Sequence, residues 1–558
     1  VAGFARKHGV SPDALVSDID GDKPYWFYRA RIPGKYAQDW LPEGLAMAIG
    51  QLQLPLEMRW KSGQPFIRPV HWLCALLDTQ VIPLHYWGLT ADRVTYGHRF
   101  LSGTTYDGEP VVLSHAQAYR DALARVCVLV DPKDQRDRLV AGLGDAYLST
   151  RDMAEYPTVL TGHIPKTSLP LFVIRTCIET HQKAIVCDET QFKFVADSVT
   201  EANKNTIIAG NERVIQARLA DARFFFETDR KKSLLAYRDT LKQQVFQDNV
   251  GTLYDKSERL TRLALQLDAN LDPDLLAHCK CDLATTMVRE LPDLQGHIGA
   301  LYYALDTGKD GQVIAEHYYP KVSGDRLPST PAGICIAIAD RLDTIVCAAY
   351  NAYYPTGSKD KYGLRRHLNS LCRLFLASTY RLDDALAQAY QILCQSGIAM
   401  TQAQFEQLNN FCQARVYEYM TNQHGPLVSS CRWHGCIRHL DTQITALQAY
   451  RDAAPDMTQA LRQATIRIHK LCAKQTIVCQ VSPALFTTKQ EQALYDACVS
   501  IAAYDVSQLQ ALNALLPVID AFFESVLVMV DDNRRDNRIA LLQYVYAVLT
   551  HWVDWGTL

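Results

Sequence analysis

The sequence predicts an α+β multidomain protein, and three observations carry that reading. The chain has 558 residues, more than one hydrophobic core usually serves, so on the order of three or four domains are expected. Up to about residue 205 the text alternates short β-type runs with turn dipeptides. Beyond that point apolar residues recur at helical spacing. The expected architecture is a mixed α/β N-terminal region over 1–205, a mainly helical domain over 206–400 and a C-terminal helical bundle over 401–558.

The β-type runs are YWFYRA at 25–30, PVVLSHA at 110–116 and CVLVD at 127–131, with turns at Pro33-Gly34, Ser102-Gly103 and Asp107-Gly108. Helices are expected near 213–245, 257–290, 331–350, 363–396 and 403–420. Breaks rich in Gly and Pro fall at 323–331, 354–358 and 424–426. The last 150 or so residues read as amphipathic helices throughout, and no internal repeat or low-complexity tract interrupts the chain.

Composition limits the function classes. Hydrophobic residues make up 48% and charged residues 21% of the chain, which is material for buried cores and carries no signature of disorder. The net charge of -3 gives no global attraction to phosphate, so any nucleic-acid surface has to be a local basic patch. No apolar run reaches the ~18–20 residues that cross a bilayer, and VAGFARKHGV at the start lacks a signal-peptide core. The cytoplasm is the expected compartment, and the sixteen dispersed cysteines are expected as reduced, buried thiols. Val1 is not an initiator Met, so part of the natural N-terminus is expected to be missing.

Several clusters combine residue types that bind RNA. In 58–100, MRW, RPVHW and YGHRF bring Arg59, Arg68, His98 and Arg99 together with aromatics, a combination that grips phosphates and stacks on bases. The plainer reading is a half-buried sheet edge with Trp60 and Trp72 in the core. In GNERVIQARLADARFFFETD at 210–229, Arg213, Arg218 and Arg223 sit on a helix whose Leu219, Phe224, Phe225 and Phe226 supply an apolar side. The alternative there is pairing with Glu212, Asp221 and Glu227. TGSKDKYGLRR at 356–366 presents Lys359, Lys361, Arg365 and Arg366 from a turn and the following helix, which suits backbone phosphates. Alternatively it is a capping loop whose Asp360 neutralises a lysine. QALRQATIRIHKL at 459–471 places Arg462, Arg467 and Lys470 along one helix. FFESVLVMVDDNRRDNR at 522–538 adds Arg534 and Arg538, with the option that its arginines only complement Asp531, Asp532 and Asp536.

Other motifs weigh less. Asp282, His317, Asp340 and Asp343 have metal-ligand residue types on helices, yet none of the sixteen histidines is followed by Asp, so no hydrolase metal site is expected. HCKCD at 278–282 and CRWHGCIRH at 431–439 lack a full ligand set at zinc spacing, and packed thiols are the expected outcome. HIGA at 297–300 follows a helical phrase instead of a Rossmann strand and has no lysine-rich partner loop. No phosphate loop or adenylation centre is visible.

These phrases, in this order, together with VFQDNVGTLYDKSERL at 245–260, EYP at 155–157 and THQK at 180–183, resemble the β subunit of the bacterial heterotetrameric glycyl-tRNA synthetase over nearly the whole chain. The resemblance implies an HD-like middle domain that keeps only the degenerate positions Asp282, His317, Asp340 and Asp343, and a DALR-type anticodon-binding domain at the C-terminus. It implies about a hundred absent N-terminal residues. It further implies binding of tRNA(Gly), an α2β2 assembly with a separate α subunit, and ATP with Mg2+ bound on that partner. No cofactor, membrane or DNA is implied for this chain itself. One departure stands out: the family usually has Pro-Phe-Ala after the Asp of the basic turn, where this sequence has Lys361, Tyr362 and Gly363. The rival readings are a metal-dependent phosphohydrolase and a non-catalytic RNA-binding scaffold.

Overall fold

A computed structural model describes residues 1–20, 23–30, 34–54, 56–60, 63–103, 107–149, 154–357, 359–473, 480–501, 506–530 and 534–558. The expected turn at Pro33-Gly34 and the acids Asp531 and Asp532 lie partly or wholly outside them. The protein is α+β, mainly helical with small antiparallel sheets. It divides into two compact units, Val1–Ala220 and Asp221–Leu558, with the division inside the long helix Lys204–Asp229.

All named sheets lie in the first unit. The largest is antiparallel, with Gln191–Ala196 between Thr158–His163 and Ile185–Val186. Its alternation buries Leu160, Phe192 and Phe194 on one face. The strand Val94–Tyr96 pairs with Pro110–Val112, and Lys23–Tyr28 pairs with Leu15–Asp20, so two of the three expected β runs form strands. The third does not. Cys127 takes a left-handed φ of 60°, and CVLVD runs as a loop into the helix Pro132–Leu143, whose N-cap is Asp131. Its backbone is tied off singly, Val128 N–H to Leu123 O and Leu129 N–H to Glu155 O, so no ladder partner is left to make a strand of it.

The second unit is built around the helix Pro331–Tyr350, the predicted span 331–350. Thr330 caps its start, Pro331 stands at the first position, and sixteen of its residues are buried, Gly333 and then Cys335 through Ala349. A helix apolar on nearly every side needs neighbours all round, and it packs against Leu253–Leu267, Leu364–Leu376, Leu382–Gln395 and Gln402–His424. Three expected helices are interrupted. The run 213–245 stops at Asp229, whose carboxylate accepts from Thr286 and Met287 N–H. The run 257–290 breaks at Asp268 and again at Lys280, which adopts a left-handed φ of 72°. The run 363–396 parts between Leu376 and Leu382. The C-terminal portion is helical as expected, with Ile437–Ala453, Pro455–Cys472, Lys489–Ile501, Leu515–Ser525 and Arg534–Leu549. Among the described residues no helix is long and apolar enough to cross a membrane.

Candidate functional site

In the first unit, phrases far apart in sequence line one cavity of about 370 Å3: Arg68 and Trp72, Tyr96 through Phe100, and Glu155 with Asp197. The bend that brings them together needs glycine. A Cβ on Gly97 would meet Ser102 Oγ at 2.3 Å, and one on Gly108, at φ +90°, would meet the Gly97 carbonyl oxygen at 2.3 Å. Trp72 stacks obliquely on Tyr96 with centroids 4.6 Å apart, Phe100 is 72% exposed, and Arg68 is exposed while Arg99 is half-buried. Open aromatic faces beside guanidinium groups can stack bases and hold phosphates.

His98 plays a different part from the one expected of it. It is buried, its Nδ1 accepts from Phe100 and Leu101 N–H, and its Nε2 lies 2.8 Å from Asp197 Oδ1. Those two donors place the ring proton on Nε2, which donates to Asp197. His98 therefore holds the YGHRF loop in shape and is withdrawn from direct contact with RNA. Arg59, on the short strand Met58–Arg59, is exposed. Trp60 is half-buried, its indole N–H donating to Phe66 O.

On the helix Lys204–Asp229, the buried stripe is Ile215, Leu219 and Ala222. Arg213, Arg218 and Arg223 are exposed, but steps of five residues rotate by about 140° each, so they fan out instead of forming a row. Arg223 lies 3.9 Å from Glu227. The Phe triplet is not one apolar face either: Phe224 is exposed, and Phe226 packs on Tyr302.

The basic turn at 356–366 turns out to be both a cap and a cation display. Asp360 accepts from Leu364 and Arg365 N–H at 2.8 and 3.0 Å, capping Leu364–Leu376, and neutralises no neighbouring lysine. Lys361 instead pairs with Asp248 at 3.1 Å and lies over Tyr353 and Tyr362. Lys359 and Arg366 are exposed and Arg365 half-buried. In the C-terminal helices, Arg467 lies over Phe523 at 3.9 Å and Lys470 is exposed, while Arg462 is half-buried with Nε unpartnered. Arg534 is half-buried. Arg538 has to be withdrawn from the RNA candidates. It is buried against Glu491 at 2.6 Å, and its other nitrogens reach Leu527 O and Thr487 Oγ1. Burial works against the Glu491 charge, yet the bonds from Arg538, Thr487 and Thr488 prevail and bring its pKa down to about 2.

Two of the four degenerate metal-type positions, Asp340 and Asp343, are met in the second unit by charges of the opposite sign, and among the described residues no group of three or more His, Cys, Asp or Glu side chains could hold a metal ion. Lys256 reaches Asp340 at 2.9 Å and Asp343 at 3.2 Å, Lys280 reaches Asp340 at 2.8 Å, and Arg259 reaches Asp343 at 2.6 Å. All of these side chains are buried. Asp282 accepts from Gly296 N–H and the Tyr318 hydroxyl, and burial raises its pKa. Burial also pushes the His317 pKa well below its ordinary value. Protein ammonium groups thus stand where a divalent ion would need free carboxylates, and the donor set does not fit Mg2+. The cysteines of HCKCD are buried thiols directed at Leu275 and Ala277 carbonyls. The residue between them, Lys280, is the one that enters the ion-pair network, and the flanking Cys-x-Cys pattern gives no signal of it. Lys256 and Arg259 left a readable signal, since both fall on the Leu260 and Leu263 side of an otherwise amphipathic helix.

Comparison with known proteins decides the family. A family model described as the glycyl-tRNA synthetase beta subunit matches residues 1–429. The chain belongs to the glycyl-tRNA synthetase β-subunit family. The glycine–tRNA ligase β subunit of Moorella thermoacetica is 34% identical, with 100% of this chain and 87% of that protein covered. Those of Ralstonia nicotianae and Pseudomonas putida are 32% and 31% identical, covering 99% and 97% of this chain and 86% and 84% of theirs. A β subunit of this family is part of a ligase complex, and the phosphohydrolase and scaffold readings are not favoured.

Proposed function

We propose that this chain holds and positions tRNA(Gly) while the α subunit, in an α2β2 assembly in the cytoplasm, carries out ATP-dependent glycylation with its own bound ATP and Mg2+. The observation that carries this reading is the convergence of Arg68, Trp72, Tyr96, Arg99 and Phe100 on one open cavity. An unpaired 3′ end stacks on such faces while guanidinium groups hold its phosphates. Fixing that end turns a bimolecular encounter into a directed one, which is how a subunit without reacting groups accelerates the reaction. Arg59, Arg213, Arg218, Lys359, Arg365, Arg366, Arg462, Arg467, Lys470 and Arg534 extend the candidate contacts, with Arg223 and Lys361 available on exchanging a carboxylate for a phosphate. The family resemblance supports an HD-like domain over 206–400 and an anticodon-binding domain over 401–558.

The test is glycine charging of tRNA by this chain alone, by a matching α subunit alone and by the mixture, with tRNA binding followed across a salt series. Charging by the mixture only, with salt-sensitive binding contributed by this chain, is the expected result. Charging by the α subunit alone at the same rate would overturn the proposal.

A further inference from the structure

The second unit contains a cavity of about 440 Å3 that shares only Arg366, at its rim, with the candidate tRNA contacts. Its wall carries five cations, Lys256, Lys280, Lys321, Arg341 and Arg366, against one carboxylate, Asp340. Phe246, Tyr318 and Tyr362 line the same wall, with the Lys256 ammonium 4.5 Å over the Phe246 ring and Tyr318 buried against Lys280 and His317.

The cations are unequally satisfied. Lys256 spends its three protons on Asp340 O, Asp343 and Thr344 Oγ1. Lys280 donates to Asp340 and lies 3.9 Å over the Tyr318 ring. The other three meet no carboxylate within ion-pair distance among the described residues. The Lys321 ammonium donates to Gln295 O and lies 5.5 Å from the centre of the Tyr319 ring. Arg341, buried, gives its terminal nitrogens to the carbonyls of His317, Ala337, Tyr318 and Pro320, and its Nε is buried without a partner. Arg366 is exposed at the rim. Gln247 Oε1, also buried on this wall, has no donor. Burial lowers the pKa of Lys280 and Lys321 and brings that of Arg341 down to about 10, a cost that a bound anion would relieve. The Lys280 backbone is held in the left-handed region, a strain that persists where surrounding structure enforces it and that clusters at ligand sites.

We propose that this cavity binds a small phosphorylated compound of the nucleoside diphosphate class, its phosphates against Lys280, Lys321, Arg341 Nε and Arg366 and its ring beside Phe246 and Tyr362. The volume lies within the range of small-molecule sites, and Gln247 Oε1 offers an acceptor to an amino or hydroxyl donor of the ligand. No bond is made or broken there, since the carboxylates that would hold a catalytic metal are occupied by Lys256, Lys280 and Arg259.

Calorimetric titration of the full chain with ADP, GDP, UDP and CDP tests this, with pyrophosphate and adenosine as ring-free and phosphate-free controls. One equivalent of at least one nucleotide should bind, at least tenfold more tightly than either control. Lys321→Gln should weaken it at least tenfold with an unchanged melting curve, and Arg366→Gln should do the same. Absence of nucleotide binding, equal affinity for pyrophosphate, or indifference to both substitutions would overturn the proposal. So would loss of tRNA affinity in Lys321→Gln without any nucleotide binding, which would assign the cavity to an RNA phosphate.

Discussion

The open cavity of the first unit and the buried network of the second use cationic side chains in opposite ways. In the first, Arg68 and Arg99 line an open cavity among aromatic rings, and the buried His98 is hydrogen-bonded to its own loop and to Asp197. In the second, Lys256, Lys280 and Arg259 are buried and bound to Asp340 and Asp343 on one helix. An exposed cation such as Arg68 can meet a ligand but adds little to stability. A buried, paired cation is costly to disturb because removing its partner leaves an uncompensated charge. Residue type alone is the same in both places; burial and partners decide whether an arginine recognises or supports.

That contrast can be broken by substitution, and the expected losses fall in order. Asp343→Asn should cost about 3–5 kcal/mol by stranding Arg259 and Lys256, read as a lowered urea midpoint; a loss under 1 kcal/mol would mean that the network is not holding the second unit together. Arg538→Met should cost about 3 kcal/mol by leaving Glu491 unpaired. This pair also has a pH signature. The Glu491 pKa is depressed from 4.5 to about 2, so its stabilisation is present above pH 4.5 and is lost as pH falls towards 2. Acid titration of the melting temperature should flatten over that window in Arg538→Met. Thr252→Ala removes one half of the capping box with Asp255 and should cost about 1 kcal/mol, with no change in tRNA binding. Arg68→Gln should move stability by no more than about 0.5 kcal/mol while lowering the salt slope of tRNA binding by about 1.

Much of the fold was legible because local signals were strong and uncontested. The helix Pro331–Tyr350 carries Thr330 and Pro331 at its start and an unbroken apolar run, and it appears where the sequence places it. Readings failed where a distant partner intervened. The helix from 204 ends at Asp229 because that carboxylate caps a turn 57 residues on. CVLVD looks like a strand, but Glu155 and Leu123 take its hydrogen bonds singly. At the candidate site, the phrases around Arg68, His98 and Glu155 could be read as aromatic and basic, but their convergence on one cavity depends on Gly97 and Gly108. That Arg538 is buried could not be read at all, since Glu491 lies 47 residues away and nothing near Arg538 announces it.

The most direct measurement separates the two steps of the ligase reaction in the assembled complex carrying Arg68→Gln and Arg99→Gln. Glycine-dependent exchange of pyrophosphate into ATP reports adenylate formation, and transfer of glycine to tRNA reports the second step. Transfer should fall steeply while exchange stays at the unsubstituted rate. An equal fall in both would contradict it, because the open cavity would then serve the chemistry and not the placement of tRNA.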